Sequence, residues 1–396
     1  MTKRKKCDIL TKKMIEAHQN KSICREKARA GVVAKEGFGA EDLPRRRGVL
    51  ATRIISVLLS QICGVLSGCC RFSIFGKARA AAEALSSAFL LQIRITIGGR
   101  YKMKKTVFTG AATAIITPFK NGQIDYESFE KLINWQIAEG IDAIVVCGTT
   151  GEASTLTDDE HRDAIKFAVD TVAGRVPVIA GTGSNDTAYA IELTQHACDA
   201  GADAVLVVTP YYNKATQNGL IKMFTEIADA STKPVILYNV PSRTGCNILP
   251  ATAAKLADHP NIVAIKEASG NISQIAELAH LVGDKMDIYS GNDDQIVPIL
   301  SLGGKGVISV LSNPMPRATS KLCHDFFDGN LAESLKSQLD LLPLVNALFC
   351  EVNPIPVKAA MSMMGFCENS LRSPLYEMEP EHEAKLAGIM KDLKLI

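Results

Sequence analysis

The chain is 396 residues long, 47% hydrophobic and 22% charged, with a formal net charge of +2. That is the composition of a globular protein with a sizeable core, and it excludes a disordered chain or a small disulfide scaffold. The near-neutral total conceals a split: residues 1–102 carry +14 and the remaining 294 carry −12. Two segments of different origin or task are expected. The acidic body lacks aromatic platforms among its basic residues, which argues against a nucleic-acid partner.

Five of the eleven cysteines fall in residues 1–102. The other six (Cys147, Cys198, Cys246, Cys323, Cys350 and Cys367) are scattered, without metal-ligand spacing, and read as reduced thiols of a cytoplasmic protein. Residues 1–47 are basic with no sustained apolar periodicity, and a disordered extension is expected there. Val49–Cys70 is more apolar and follows Arg45-Arg46-Arg47, like a secretion signal. The long stretch ahead of those arginines and the interruption by Arg53 and Gln61 argue against export or a membrane span. A transit peptide is a second reading, opposed by Glu26, Glu36, Glu41 and Asp42. A third follows from Gly98-Gly99, whose codons can spell a ribosome-binding purine run shortly before Met103. On that reading translation starts at Met103 and residues 1–102 are not part of the working protein.

From Gly110 the chain alternates short apolar strands with amphipathic helices. The strands are expected at Gly110–Thr117, Ala143–Gly148, Pro177–Gly181, Ala204–Thr209, Pro234–Val240, Ile262–Lys266, Asp287–Gly291 and Gly306–Val310. Helical patterns follow at Tyr126–Glu139, Asp158–Val172 (with Thr157 as its N-cap), Asp186–Ala200, Gly219–Ala230 and Ser273–Val282. Strands apolar on both faces, alternating with helices, predict a parallel sheet, and eight of them predict an α/β protein of the closed (β/α)8 barrel class. No G-x-G-x-x-G follows the first strand, which weakens a dinucleotide-binding alternative. The expected organisation is an extension at 1–102, a catalytic barrel at 103–312 and a C-terminal helical region at 313–396. Helices in that last region are expected at Pro316–Phe327, Leu331–Phe349 and Pro356–Met364.

Catalytic groups of such barrels lie at the C-terminal strand ends, and here those ends are polar. Lys266 closes an apolar strand; burial there favours the neutral, nucleophilic amine that imine formation requires. The plainer alternative is a solvated lysine or one paired with Glu267. Gly148-Thr149-Thr150-Gly151 can turn two amides inward as a carboxylate nest, or it is an ordinary glycine turn. Tyr211 and Tyr212 follow the fourth strand, Tyr238 stands in the end of the fifth, and Arg243 comes just after it.

Gly148-Thr-Thr-Gly-Glu152, Pro210-Tyr-Tyr-Asn-Lys214, Tyr238-Asn-Val-Pro-Ser-Arg-Thr-Gly245, Ile265-Lys-Glu-Ala-Ser-Gly270 and Ser290-Gly-Asn-Asp293 stand in order along the body. Together they resemble the dihydrodipicolinate synthase family of pyruvate-dependent class I aldolases, relatives of N-acetylneuraminate lyase. The resemblance runs from about Met103 to the C-terminus. It implies a lyase of lysine and diaminopimelate biosynthesis that condenses pyruvate with L-aspartate 4-semialdehyde. By the same resemblance Lys266 forms a Schiff base with pyruvate, and Tyr238 is the general acid/base. Thr149 and Tyr212 complete a proton relay, Tyr212 being supplied by a neighbouring subunit. The amides of Thr149 and Thr150 hold the pyruvate carboxylate, Arg243 the semialdehyde carboxylate, and Ile308 and Gly291 line the pyruvate pocket. No metal or other cofactor is implied, and a homotetramer is.

Asn185, His161 and Tyr211 match residues of the lysine-inhibition site that many family members carry. Tyr189 stands where that site has an acid, and Asp158 where it has a second histidine. Weak or no inhibition by lysine is therefore expected. A sibling 2-keto-3-deoxy sugar acid aldolase or N-acetylneuraminate lyase is the alternative within the superfamily, disfavoured by Arg243 and the Thr149-Thr150 pair.

Overall fold

The computed structural model describes residues 104–396. The expectations for 1–102, including the apolar stretch Val49–Cys70, lie outside the described residues. Eight parallel strands close into a barrel: β1 (Gly110–Ala114), β4 (Ala143–Val146), β5 (Val178–Gly181), β6 (Ala204–Val208), β7 (Val235–Asn239), β8 (Ile262–Glu267), β9 (Asp287–Ser290) and β10 (Gly306–Ser309). β1 closes the barrel by pairing with both β4 and β10. A small antiparallel hairpin, β2 (Phe119–Lys120) and β3 (Gln123–Ile124), had no counterpart among the expected elements, because two-residue strands leave no periodicity.

Alternation along each strand sorts the apolar residues into two cores. Ala112, Val145, Ile179, Leu206, Ile236, Ala264 and Ile308 fill the barrel interior. Ala111, Ile144, Val205, Leu237 and Ile265 face the helices. Residues on both faces are buried, so the strands read as unbroken apolar runs. At the N-terminal face Phe108 stacks on Tyr289 with ring centroids 4.2 Å apart, and the Tyr289 hydroxyl donates to the Phe108 carbonyl at 2.7 Å.

The surrounding helices are α1 (Tyr126–Ala138), α2 (Asp158–Val172), α3 (Thr187–Asp199), α4 (Gln217–Ala230), the short α5 (Pro241–Thr244), α6 (Pro250–Leu256), α7 (Ile272–Val282) and α8 (Ile296–Ser301). Thr157 caps α2 as expected: its side chain accepts from the Glu160 amide while Glu160 reaches back to the Thr157 amide, a capping box. Four helices follow the barrel: α9 (Pro316–Phe327), α10 (Leu331–Leu348), α11 (Ile355–Met363) and α12 (Pro380–Asp392). The last was not anticipated. Only Leu386 and Met390 are buried on it, too thin an apolar face to announce itself. Among the described residues no helix is long and apolar enough to cross a membrane.

Candidate active site

Strands β7 and β8 pair in parallel with Tyr238 opposite Lys266 and Asn239 opposite Glu267. Two-residue alternation sends Tyr238 and Lys266 toward the barrel interior and the next rung toward the helices. Lys266 is 7% exposed, as an amine at the mouth of an apolar strand should be, and its Nζ lies 4.3 Å from the centroid of the Tyr238 ring. The strand runs one residue further than expected, to Glu267. Pairing of Lys266 with Glu267 is not what occurs. The Glu267 carboxylate accepts from Asn239 Nδ2 at 3.0 and 3.2 Å and from the Ser269 amide at 2.8 Å. Burial pushes that carboxyl up, against the pull of the Ser269 and Asn239 hydrogen bonds.

Gly291, just beyond β9, lies against the lysine stem. A Cβ built there would stand 3.1 Å from Lys266 Cε and 2.7 Å from Ala268 Cβ. Two residues on, Asp293 is buried. Its Oδ2 accepts from the amides of Val310 and Leu311 at 3.0 and 2.9 Å, and burial pushes its carboxyl up. Ile308, 1% exposed on β10, completes the apolar surroundings.

The turn after β4 is held between two non-glycine residues in left-handed conformation, Cys147 and Glu152, each with φ of 54°. Such backbone costs on the order of 1 kcal/mol per residue and persists where the surroundings enforce it. The Gly151 and Glu152 amides fold back onto the Gly148 and Thr149 carbonyls. Thr149 is exposed and Thr150 buried. Thr117 Oγ1 donates to the Gly151 carbonyl at 2.7 Å.

A cavity of about 400 Å³ opens at these strand ends, with Thr149, Tyr238, Arg243, Tyr211, Tyr189 and His161 in its wall. Tyr238 is the link between this cavity and the lysine. Lys266, Ile308, Gly291 and Thr150 are not in the wall. Tyr212 is outside it too: 93% exposed, with φ of 69°, it projects from the loop after β6. At the protein surface beside this cavity the Tyr189 hydroxyl donates to Asp158 Oδ1 at 3.0 Å, and Arg162 Nε donates to Asp158 Oδ2 at 2.8 Å. His161 Nε2 meets the Gly181 carbonyl at 2.8 Å. Burial pushes the Tyr189 hydroxyl up to about 12, aided by Asp158.

Several polar residues behind the Thr149-Thr150 turn escaped the sequence reading. Lys358, on α11, donates to Glu152 Oε1 at 2.5 Å and to the Thr117 carbonyl at 2.7 Å; the side chains of both Lys358 and Glu152 are fully buried. Asn353 Nδ2 donates to Thr150 Oγ1 at 3.0 Å. These partners stand more than two hundred positions apart in the chain, and the sole hint was a lysine and an asparagine within an otherwise apolar, proline-flanked run.

A closed parallel barrel with a buried lysine, a tyrosine on the adjoining rung and a cavity at the C-terminal strand ends defines a (β/α)8-barrel enzyme. Residues 107–393 match the dihydrodipicolinate synthetase family, and the chain belongs to that family. The 4-hydroxy-tetrahydrodipicolinate synthase of Lachnoclostridium phytofermentans is 60% identical over 292 residues, covering 73% of this chain and 99% of that one. The Geobacter metallireducens enzyme of the same name is 53% identical over 290 residues, 73% and 100% of the two chains. Among solved structures, the dihydrodipicolinate synthase from Aquifex aeolicus is 47% identical with a TM-score of 0.72, covering 73% of this chain and 99% of its own.

Proposed function

We propose that the chain is a 4-hydroxy-tetrahydrodipicolinate synthase, a lyase condensing pyruvate with L-aspartate 4-semialdehyde in lysine and diaminopimelate biosynthesis, with Lys266 as its Schiff-base residue. The observation that carries this reading is the buried Lys266 amine 4.3 Å from the Tyr238 ring on the adjoining rung. The Lys266 amine adds to the pyruvate keto carbon and water leaves, giving an iminium that acts as an electron sink. Loss of a methyl proton then gives an enamine, whose carbon attacks the semialdehyde aldehyde; the aldehyde oxygen takes up a proton and becomes the hydroxyl. The amino group of the bound semialdehyde attacks the imine carbon, closing the ring and releasing Lys266.

Tyr238 serves as general acid and base for these transfers, with Thr149 and a partner subunit's Tyr212 as the relay. Thr149 and Thr150 amides hold the pyruvate carboxylate, and the planar Arg243 fork takes the semialdehyde carboxylate. Ile308 and Gly291 shape the pyruvate pocket. Tyr212, fully exposed within its own chain, makes best sense as a residue supplied to a neighbour, within a homotetramer. The catalytic unit comprises barrel 103–312 and helical region 313–396, and a cytoplasmic location suits the free cysteines among the described residues.

Borohydride reduction with labelled pyruvate tests the scheme. Label should appear on Lys266 alone and vanish in Lys266→Ala, and turnover should fall by at least about a thousandfold. Near-parental turnover by Lys266→Ala sinks it. Assays of sugar-acid cleavage against condensation with the semialdehyde separate the sibling aldolases.

A further inference from the structure

The Gly148-Thr149-Thr150-Gly151 turn is bracketed by left-handed Cys147 and Glu152 and closed by its own amides and the Thr117 hydroxyl. Further anchors come from the C-terminal helical region. Lys358 reaches Glu152 Oε1 in a fully buried pair, and the Arg372 amide donates to Glu152 Oε2 at 3.1 Å. Those contacts anchor the end of the turn. Asn353 is the contact that touches Thr150 itself, at 3.0 Å between two side chains 5% and 3% exposed.

Asn353 is a costly choice as filling. Its Oδ1 is buried without a hydrogen-bond partner, so its solvation is lost with nothing in return. A leucine, branched in the same way but apolar, would incur no such loss. The amide donor is the one part of the side chain in use, and it is directed at the Thr150 hydroxyl.

We propose that Asn353 is a positioning residue for the substrate carboxylate, acting through the Thr150 hydroxyl to fix the turn whose amides receive that carboxylate. This rests on the reading of the Thr149-Thr150 amides as the pyruvate carboxylate site. Asn353 then governs pyruvate binding without touching pyruvate. The C-terminal region becomes part of the substrate site rather than a buttress to the barrel.

A double-mutant cycle on the full chain tests this. Thr150→Val removes the hydroxyl and keeps the amide; Asn353→Leu removes the donor and the unpartnered oxygen together. Each should raise the KM for pyruvate by about five- to twentyfold, with kcat within about threefold and the semialdehyde KM nearly unchanged. The double variant should be no worse than the more affected single one, since both break the same bond. Thermal melting verifies folding, with Asn353→Ala as the second variant if Asn353→Leu is not folded. A raised pyruvate KM in Thr150→Val but not in the Asn353 variants overturns the proposal and leaves the carboxylate site standing. Additive effects also overturn it, because Asn353 would then act elsewhere. An unchanged pyruvate KM in Thr150→Val also overturns the proposal, because the hydroxyl then plays no part in binding, and it leaves the amide reading standing since the variant keeps those amides.

Discussion

Lys266 and Tyr238 are cross-strand neighbours on β8 and β7, and the lysine nitrogen rests 4.3 Å from the centre of the tyrosine ring. Their hydrogen-bonded strands fix this approach, so substitution at either residue should leave the other in place. Tyr238→Phe keeps the ring beside Lys266 and removes the hydroxyl. It should lower kcat by about 10²–10⁴-fold while borohydride trapping of pyruvate continues. Loss of trapping in that variant, with the fold intact by circular dichroism, would show that the hydroxyl is needed before the imine forms.

Gly291 should tolerate no side chain. An alanine methyl would press on Lys266 Cε and Ala268 Cβ at 3.1 and 2.7 Å. The lysine must swing aside, and misplacement of a nucleophile by a fraction of an ångström costs about tenfold or more in kcat/KM. Gly291→Ala should lose that much by steady-state assay, with a melting temperature within a few degrees of the parent.

Tyr212 offers a complementation test. Lys266→Ala and Tyr212→Phe chains are each expected to be nearly inactive. If the tyrosine serves the neighbouring subunit, a hybrid dimer contains one site with both Lys266 and a borrowed Tyr212. Random mixing should then restore about a quarter of parental sites. Activity of the mixture no greater than the mean of its components would place Tyr212 outside its neighbour's site.

Acid should release the C-terminal segment. The Arg372 guanidinium grips Glu160 through both nitrogens at 2.6 Å and holds its carboxyl down, from 4.5 to about 2. A depressed carboxylate adds stability above its unfolded value and loses it as pH falls through the folded one. The gap in melting temperature between parent and Glu160→Gln should therefore be constant above about pH 5, narrow between 4.5 and 2, and close below that range. A gap that widens on acidification would refute the assignment.

L-lysine should inhibit weakly or not at all. Tyr189 brings no carboxylate to the cavity wall, and the exposed Asp158 beside it already accepts from Arg162 and the Tyr189 hydroxyl. A ligand ammonium would find that charge partly neutralised by the Arg162 guanidinium. Half-inhibition at sub-millimolar L-lysine, measured at saturating pyruvate, would contradict this.

Much of the barrel was legible because each strand is apolar on both faces, a pattern that depends on local composition alone. Thus β5, β6 and β8 begin and end within a residue of their expected limits, and α2 carries its Thr157 cap as read. Lys266, Tyr238 and Arg243 could be singled out because a charged or phenolic side chain at the end of such a strand is locally anomalous. The hairpin β2–β3, helix α12, the buried Lys358–Glu152 pair and the Asn353–Thr150 bond could not. Each exists only after distant segments are brought together, and their residues look unremarkable among their sequence neighbours. Chain chemistry by itself determined the eight barrel strands and which of their ends carry lysine, tyrosine and arginine. Tertiary structure alone decided that Glu267 turns away from Lys266 to Asn239, and that the turn after β4 is anchored by residues more than two hundred positions downstream. Pleat direction and long-range closure set those contacts, and neither is written in any local window.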